Sequence, residues 1–336
     1  MEKRINFLDY LRICSMLFVV MLHVSAQNWH EADVNGFDWQ IFNIYNCLSR
    51  WAVPAFVMIS GALFLNKKVT LIQIYKKYVL RLVIAFGVWS LFYCLVAGRS
   101  ISPENILTGE YHMWFIFMIM GLYALLPISQ RIVKSKKVTK CFLSIVFVFA
   151  SLIPFADRVI NDFIYKTEAI SAFYQRIHVI HLMVGYMGYF VLGHYLTSVR
   201  LDRGKRILIY WGGVTGFLST IVLQVMAALK TQQHLGSYYD ELWVNVWVSA
   251  VAGFVWFQHL KIFQKYKPIV MRLSKLNLGV YMVHVFVLNL LRVWGINTLL
   301  FNPILSVPMI AILVYGISVG ISALIHQIPI MKKYIV

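Results

Sequence analysis
The chain has 336 residues, 60% of them hydrophobic and only 13% charged, with a formal net charge of +18 and a mean hydropathy of +0.72. A water-soluble domain has nowhere to bury that much apolar surface, so a polytopic membrane protein is expected. The positive charge does not point to nucleic acid, because the basic residues form no stripe and sit in short loops between apolar runs.

Ten apolar segments follow one another: 7–26, 43–65, 79–97, 113–130, 141–156, 178–198, 207–229, 243–260, 276–295 and 304–327. Most approach the ~20 residues that a bilayer requires. They define an all-α, polytopic integral membrane helix bundle of about ten transmembrane helices. No linker or low-complexity run divides it, so 1–336 is expected to form a single membrane-embedded domain. Lys3 and Arg4 before an apolar run imitate a signal peptide. Arg12 inside that run and the lack of a small-residue cleavage site favour a retained first helix.

The first segment, FLDYLRICSMLFVVMLHVS, carries Asp9, Arg12 and His23. Ionisable groups in hydrocarbon are costly and usually functional or paired. Arg12 and His23 are eleven residues apart, about three turns, so they share one helix face about 16 Å apart along its axis. Asp9 is the i,i+3 partner of Arg12. Taken singly, His23 reads as a buried structural histidine and Arg12 as a snorkelling topology signal. Their pairing on one face is harder to dismiss.

In the second segment Arg50 stands at the start and Ser60 and Gly61 lie deeper, with Pro54 expected to kink the helix. IYKKYVLR, entering the third, sets Lys77 and Arg81 four residues apart on one face; their plainer reading is cytoplasmic anchoring. YHMWF opens the fourth with His112 and Trp114, which also suit an interfacial aromatic belt. The outer segment 157–177 is expected to hold a short interfacial helix. GxxxG spacings at Gly212/Gly216 and Gly316/Gly320 predict close helix packing. LNLGVYMVH in the ninth segment carries Tyr281 and His284, with Arg292 further out. Cys14, Cys47, Cys94 and Cys141 fall one per apolar segment, without metal-ligand spacing, and read as small core residues. No metal site is expected.

Orientation follows from the loops. Lys67/Lys68, Lys134–Lys140, Arg200–Arg206 and Lys261–Lys275 alternate with acidic segments holding Glu31, Asp33, Asp38, Glu104, Glu110, Asp157, Asp162, Glu168, Asp240 and Glu241. The positive-inside rule then makes both termini cytoplasmic.

LDYLR followed by VVMLHVS, SRWAVPAFVMISGALFL, YHMWFIFMIMGLYALLPI and LNLGVYMVHVFVL resemble the acyltransferase-3 family of integral membrane acyltransferases. The resemblance covers essentially the whole chain and is strongest in segments one, two, four and nine. It implies an O-acyltransferase, most simply an O-acetyltransferase, moving an acyl group from cytoplasmic acyl-CoA (acetyl-CoA) to a hydroxyl of a cell-surface glycan or its lipid-linked precursor. It implies a multi-pass protein of the bacterial inner (cytoplasmic) membrane. The family's essential arginine and histidine fall on Arg12 and His23. Lys77 and Arg81 stand where two arginines three apart are usual. On this reading Arg12, Lys77 and Arg81 hold the CoA phosphates, and His23 is base or acyl acceptor. Arg50, Ser60, His112, Trp114, Tyr281 and His284 contact the acceptor. Expected partners are acyl-CoA, the glycan and the lipid bilayer, with no nucleic acid; a homo-oligomer stays open. The alternatives are a glycan or amino-acid transporter or flippase, and a serine-handling membrane protein related to resistance racemases.

Overall fold
The computed structural model describes residues 7–164, 184–260 and 266–335. Every regular element among them is helical, as hydrocarbon demands: only a helix or a closed barrel pairs all its backbone polar groups without water. In chain order the helices are α1 (Phe7–Ala26), α2 (Phe37–Ser49), α3 (Ala52–Phe64), α4 (Leu71–Val96), α5 (Pro103–Thr108), α6 (Tyr111–Ala124) and α7 (Leu126–Val133). There follow α8 (Lys136–Ile164), α9 (184–198), α10 (Arg203–Thr231), α11 (Val244–His259), α12 (Lys267–Val293), α13 (Pro303–Ile325) and α14 (Pro329–Tyr334).

Among the described residues seven stretches are long and apolar enough to cross a bilayer: α1, α2 with α3, α4, α8, α10, α12 and α13. The bent pair α6 and α7 makes an eighth if it counts as one span. By this measure the described residues hold fewer crossings than the ten expected segments. α11 has 16 residues, short of a full crossing, and the expected span 178–198 begins outside the described residues. The segment expected over 141–156 is instead a 29-residue helix, Lys136–Ile164. That helix takes up the first part of the expected outer segment 157–177, and 165–177 lie outside the described residues.

The breaks follow proline. Pro54 has no N–H to offer the carbonyl of Arg50, four residues back, and the second span is interrupted there, α2 ending at Ser49 and α3 starting at Ala52. Because that span starts at Phe37, Arg50 sits at an internal break and not at the start as expected. Pro127 likewise frees the Tyr123 carbonyl, and α6 meets α7 at 59°. α4 starts with a Thr70–Gln73 capping box and passes through π-helical turns over Ile74–Val79.

α1 is the central helix, packed by α2, α3, α11, α12 and α13, with Leu11, Met16, Val20 and Val24 fully buried. Lipid is as apolar as leucine, so close approach rather than hydrophobicity holds such helices together. A methyl on Gly61 of α3 would overlap the Phe190 carbonyl of α9, and one on Gly193 of α9 would overlap the Met58 backbone of α3. Gly216 packs in the same way on the Asn245 carbonyl of α11, while Gly212 faces open space. Among the described residues nothing lies within 4 Å of a methyl on Gly316 or Gly320, so the packing expected of that GxxxG pair is not found there.

The connectors 27–36, 232–243 and 294–302 knit into one end of the bundle. Thr298 donates to the Asn28 side chain (2.7 Å), Arg292 pairs with Glu31 (2.7 Å), Asn35 donates to Gln232 (2.8 Å) and His234 to the Ala32 carbonyl (2.7 Å).

Candidate active site
α1 and α12 lie side by side and meet at two levels in the same chain order, so they run parallel. At the first level Arg12 Nη1 donates to Ser274 Oγ (3.1 Å) and Ser274 Oγ donates to Asp9 Oδ1 (2.7 Å). Asn277 Nδ2 donates to the Arg12 carbonyl (2.9 Å). Arg12 and Asp9 are 3.9 Å apart, the expected i,i+3 pair, with Ser274 between them. Asp9 is buried, and this network supplies the partners that a carboxylate in hydrocarbon requires. At the second level the His23 ring faces His284, with centroids 5.2 Å apart. Eleven residues on α1 thus match ten on α12, and helix geometry sets the two levels about 16 Å apart.

The second level is a cluster of three imidazoles. His112, from the 3₁₀ turn that opens α6, stands 5.1 Å from His284 and 6.5 Å from His23 between ring centroids. Tyrosines brace it. The Tyr281 hydroxyl donates to the His112 carbonyl. The Tyr93 hydroxyl donates to the Met282 carbonyl (2.7 Å) and accepts from the Phe286 N–H (3.2 Å). The Tyr111 hydroxyl lies 3.5 Å from His23 Nδ1. His284 Nδ1 is 2.6 Å from the Tyr281 carbonyl; a carbonyl can only accept, so that nitrogen carries the proton and Nε2 keeps its lone pair. His284 Nε2 and both ring nitrogens of His112 are buried with no protein partner. Each such atom costs about 1–3 kcal/mol, and three of them gathered in one cluster call for an explanation beyond packing. Among the described residues no group of three or more His, Cys, Asp or Glu side chains is placed to hold a metal ion.

Arg50 lies within electrostatic range of His23, and its break in the second span gives its side chain a set of fixed partners. Nε donates to Asn46 Oδ1 (2.8 Å), Nη1 pairs with Glu241 (3.4 Å), and the guanidinium lies 4.2 Å from the Tyr239 ring centroid. Glu241 belongs to the 232–243 connector. Burial pushes its carboxyl above the usual range and Arg50 pulls it partly back.

Other expected residues gather nearer the opposite end. Ser60 hydrogen-bonds the Tyr123 side chain, and Tyr123 is within electrostatic range of Arg12 and Arg81. Arg81, Lys275 and Lys332 also act on His326, which burial and these three cations hold below the usual histidine range. Lys77 is exposed and lies 5.7 Å from the ring centroid of Tyr78. Trp114 is exposed and packs on Tyr186 at 5.8 Å, away from the imidazoles. The structure thus brings together His23, His112, Tyr281 and His284 with Arg50 in range, and separately Arg12, Ser60 and Arg81. Tyr93, Tyr123, Tyr239, Glu241 and Ser274 were not singled out from sequence. A serine and a glutamate that come to lie beside an arginine remote in the chain carry no local signal.

Residues 5–326 match a family model described as an acyltransferase domain, of the acyltransferase-3 type. No curated protein and no solved structure matches the chain.

Proposed function
The chain belongs to the acyltransferase-3 family and is a multi-pass membrane acyltransferase; from that premise we propose that it is an O-acetyltransferase drawing on cytoplasmic acetyl-CoA. Its acceptor is a hydroxyl of a cell-surface glycan or of the lipid-linked precursor, and its setting is the bacterial inner membrane with both termini in the cytoplasm. We base the glycan acceptor on the resemblance of the stretch from the first span through DWQIFNIYNCLSR to the enterobacterial common antigen O-acetyltransferase.

The observation that carries this reading is the two-level contact of α1 with α12: a fixed cation at Arg12, and an imidazole cluster at His23. CoA phosphates cannot enter hydrocarbon cheaply. Arg12, Arg81 and Lys77 hold them at the inner mouth through charge-assisted contacts. The uncharged pantetheine arm then extends along α1, over the roughly 16 Å that separates the two levels. At the upper level His23 meets the thioester as base or acyl acceptor. His112, Tyr281, His284 and Arg50 line the place where the hydroxyl arrives, while Ser60, beside Tyr123, and Trp114, beside Tyr186, stand apart from it.

CoA binding tests the reading against a transporter, which needs no acyl donor. Purified protein is expected to gain thermal stability with CoA, and Arg81→Ala to weaken that effect about tenfold, since a charge-assisted contact is worth about 1.5–3 kcal/mol. Protein indifferent to CoA at millimolar concentration would rule the reading out.

A further inference from the structure
We propose that His284 is the proton-accepting partner of His23, its Nε2 taking the ring proton of His23 while His23 bonds to the acyl carbon. The inference deepens the acyltransferase reading and rests on it. Three observations meet here. The hydrogen bond from His284 Nδ1 to the Tyr281 carbonyl (2.6 Å) dictates the tautomer and leaves Nε2 as an acceptor. That atom is buried and has no partner within the protein. The two rings stand 5.2 Å apart between centroids with their planes inclined at 42°, close enough that reorientation of one ring closes an N–H···N bond, and such catalytic bonds are often long or poorly aligned until substrate is bound. Nucleophile, base and orienting group are then His23, His284 and the carbonyl of Tyr281, the logic of an activated nucleophile. Tyr281 is itself fixed, its hydroxyl on the His112 carbonyl, so α6 and α12 jointly hold the base in place.

The chemistry balances in two steps. One nitrogen of His23 forms a bond to the thioester carbon and the C–S bond breaks. The proton on the other nitrogen passes to His284 Nε2 and leaves on the CoA thiolate, giving acyl-His23, CoA thiol and neutral His284. The acceptor oxygen then bonds to the acyl carbon and the C–N bond to His23 breaks. The hydroxyl proton returns to the His23 ring through His284. No oxidant or further reactant is required.

The test is the first step alone, read as transfer of label from radiolabelled acetyl-CoA to the purified protein without acceptor. His284→Gln preserves size and polarity but cannot hold the proton. It is expected to keep thermal stabilisation by CoA and to label about 10²–10⁴ times more slowly than wild type. In His284→Ala, free imidazole is expected to restore labelling, a rescue that a packing role does not predict. Wild-type labelling rates in His284→Gln, loss of CoA stabilisation together with labelling in both variants, or a wild-type protein that binds CoA yet never labels would each overturn the inference. Failure of the wild type to bind CoA would instead overturn the acyltransferase reading on which it rests.

Discussion
Arg12 and Ser274, 262 positions apart in the chain, are joined by a 3.1 Å hydrogen bond, and the same serine donates to Asp9 at 2.7 Å. One hydroxyl therefore aligns a cation and a carboxylate on α1 and ties both to α12. About three turns further along, the same two helices present His23 and His284 to each other.

Ser274→Ala is expected to cost about 1–3 kcal/mol, because it leaves a buried carboxylate short of a partner. Thermal unfolding in detergent checks this. CoA stabilisation should weaken as well if Arg12 loses its orientation, whereas an unchanged midpoint would make the serine dispensable.

Packing gives a prediction that is independent of catalysis. Gly61→Ala drives a methyl into the Phe190 carbonyl, and overpacking of that kind costs about 1–3 kcal/mol or more. Gly316→Ala and Gly320→Ala meet nothing within 4 Å and should unfold at the wild-type temperature. Equal effects at the three sites would contradict the crossing of α3 with α9.

The spacing of Arg12 and His23 was legible because helical periodicity is local and depends on nothing outside α1. Arg50 was legible as an arginine at the start of an apolar segment, but its partner Glu241 was not: 191 positions separate them, and Glu241 reads simply as one acid of an outer loop. Likewise Tyr123 looks like any aromatic in an apolar run until folding places it beside Ser60. Pro54 predicted a kink, though not that the span begins at Phe37 and so carries Arg50 into its interior. The Gly316/Gly320 pair shows the converse, a spacing that suits packing on a face where none of the described helices arrives.

Glu241 sets a pH dependence. Its folded-state pKa is raised from 4.5 by burial, with Arg50 opposing. The folded chain then holds the proton more tightly than the unfolded chain. This contribution to stability is full below pH 4.5 and is lost as pH rises through the folded value. Glu241→Gln removes the titration, so stability of the wild type relative to this variant should decline from pH 4.5 upward. A pH-independent difference between their unfolding midpoints would contradict the assignment.

The positive-inside reading puts the knitted end of the bundle outside. Single cysteines introduced in a cysteine-free background at 27–36, 232–243 and 294–302 are expected to react with an impermeant thiol reagent added outside whole cells. Those at 66–70 and 199–202 should react only after lysis. One loop with inverted reactivity would displace His23 from the outer half of its span.

His23 carries the central claim, and acyl transfer by a His23→Ala protein that still inserts, folds and binds CoA tests it most directly. Loss of a general base or acyl acceptor typically lowers the rate about 10²–10⁴-fold, while a structural histidine would lower thermal stability along with activity. His23→Gln, which keeps polarity but exchanges no proton near neutral pH, should be as inactive as alanine. The account predicts that both variants retain CoA stabilisation and transfer no measurable radiolabelled acetyl group; transfer by well-folded His23→Ala at the wild-type rate would contradict it.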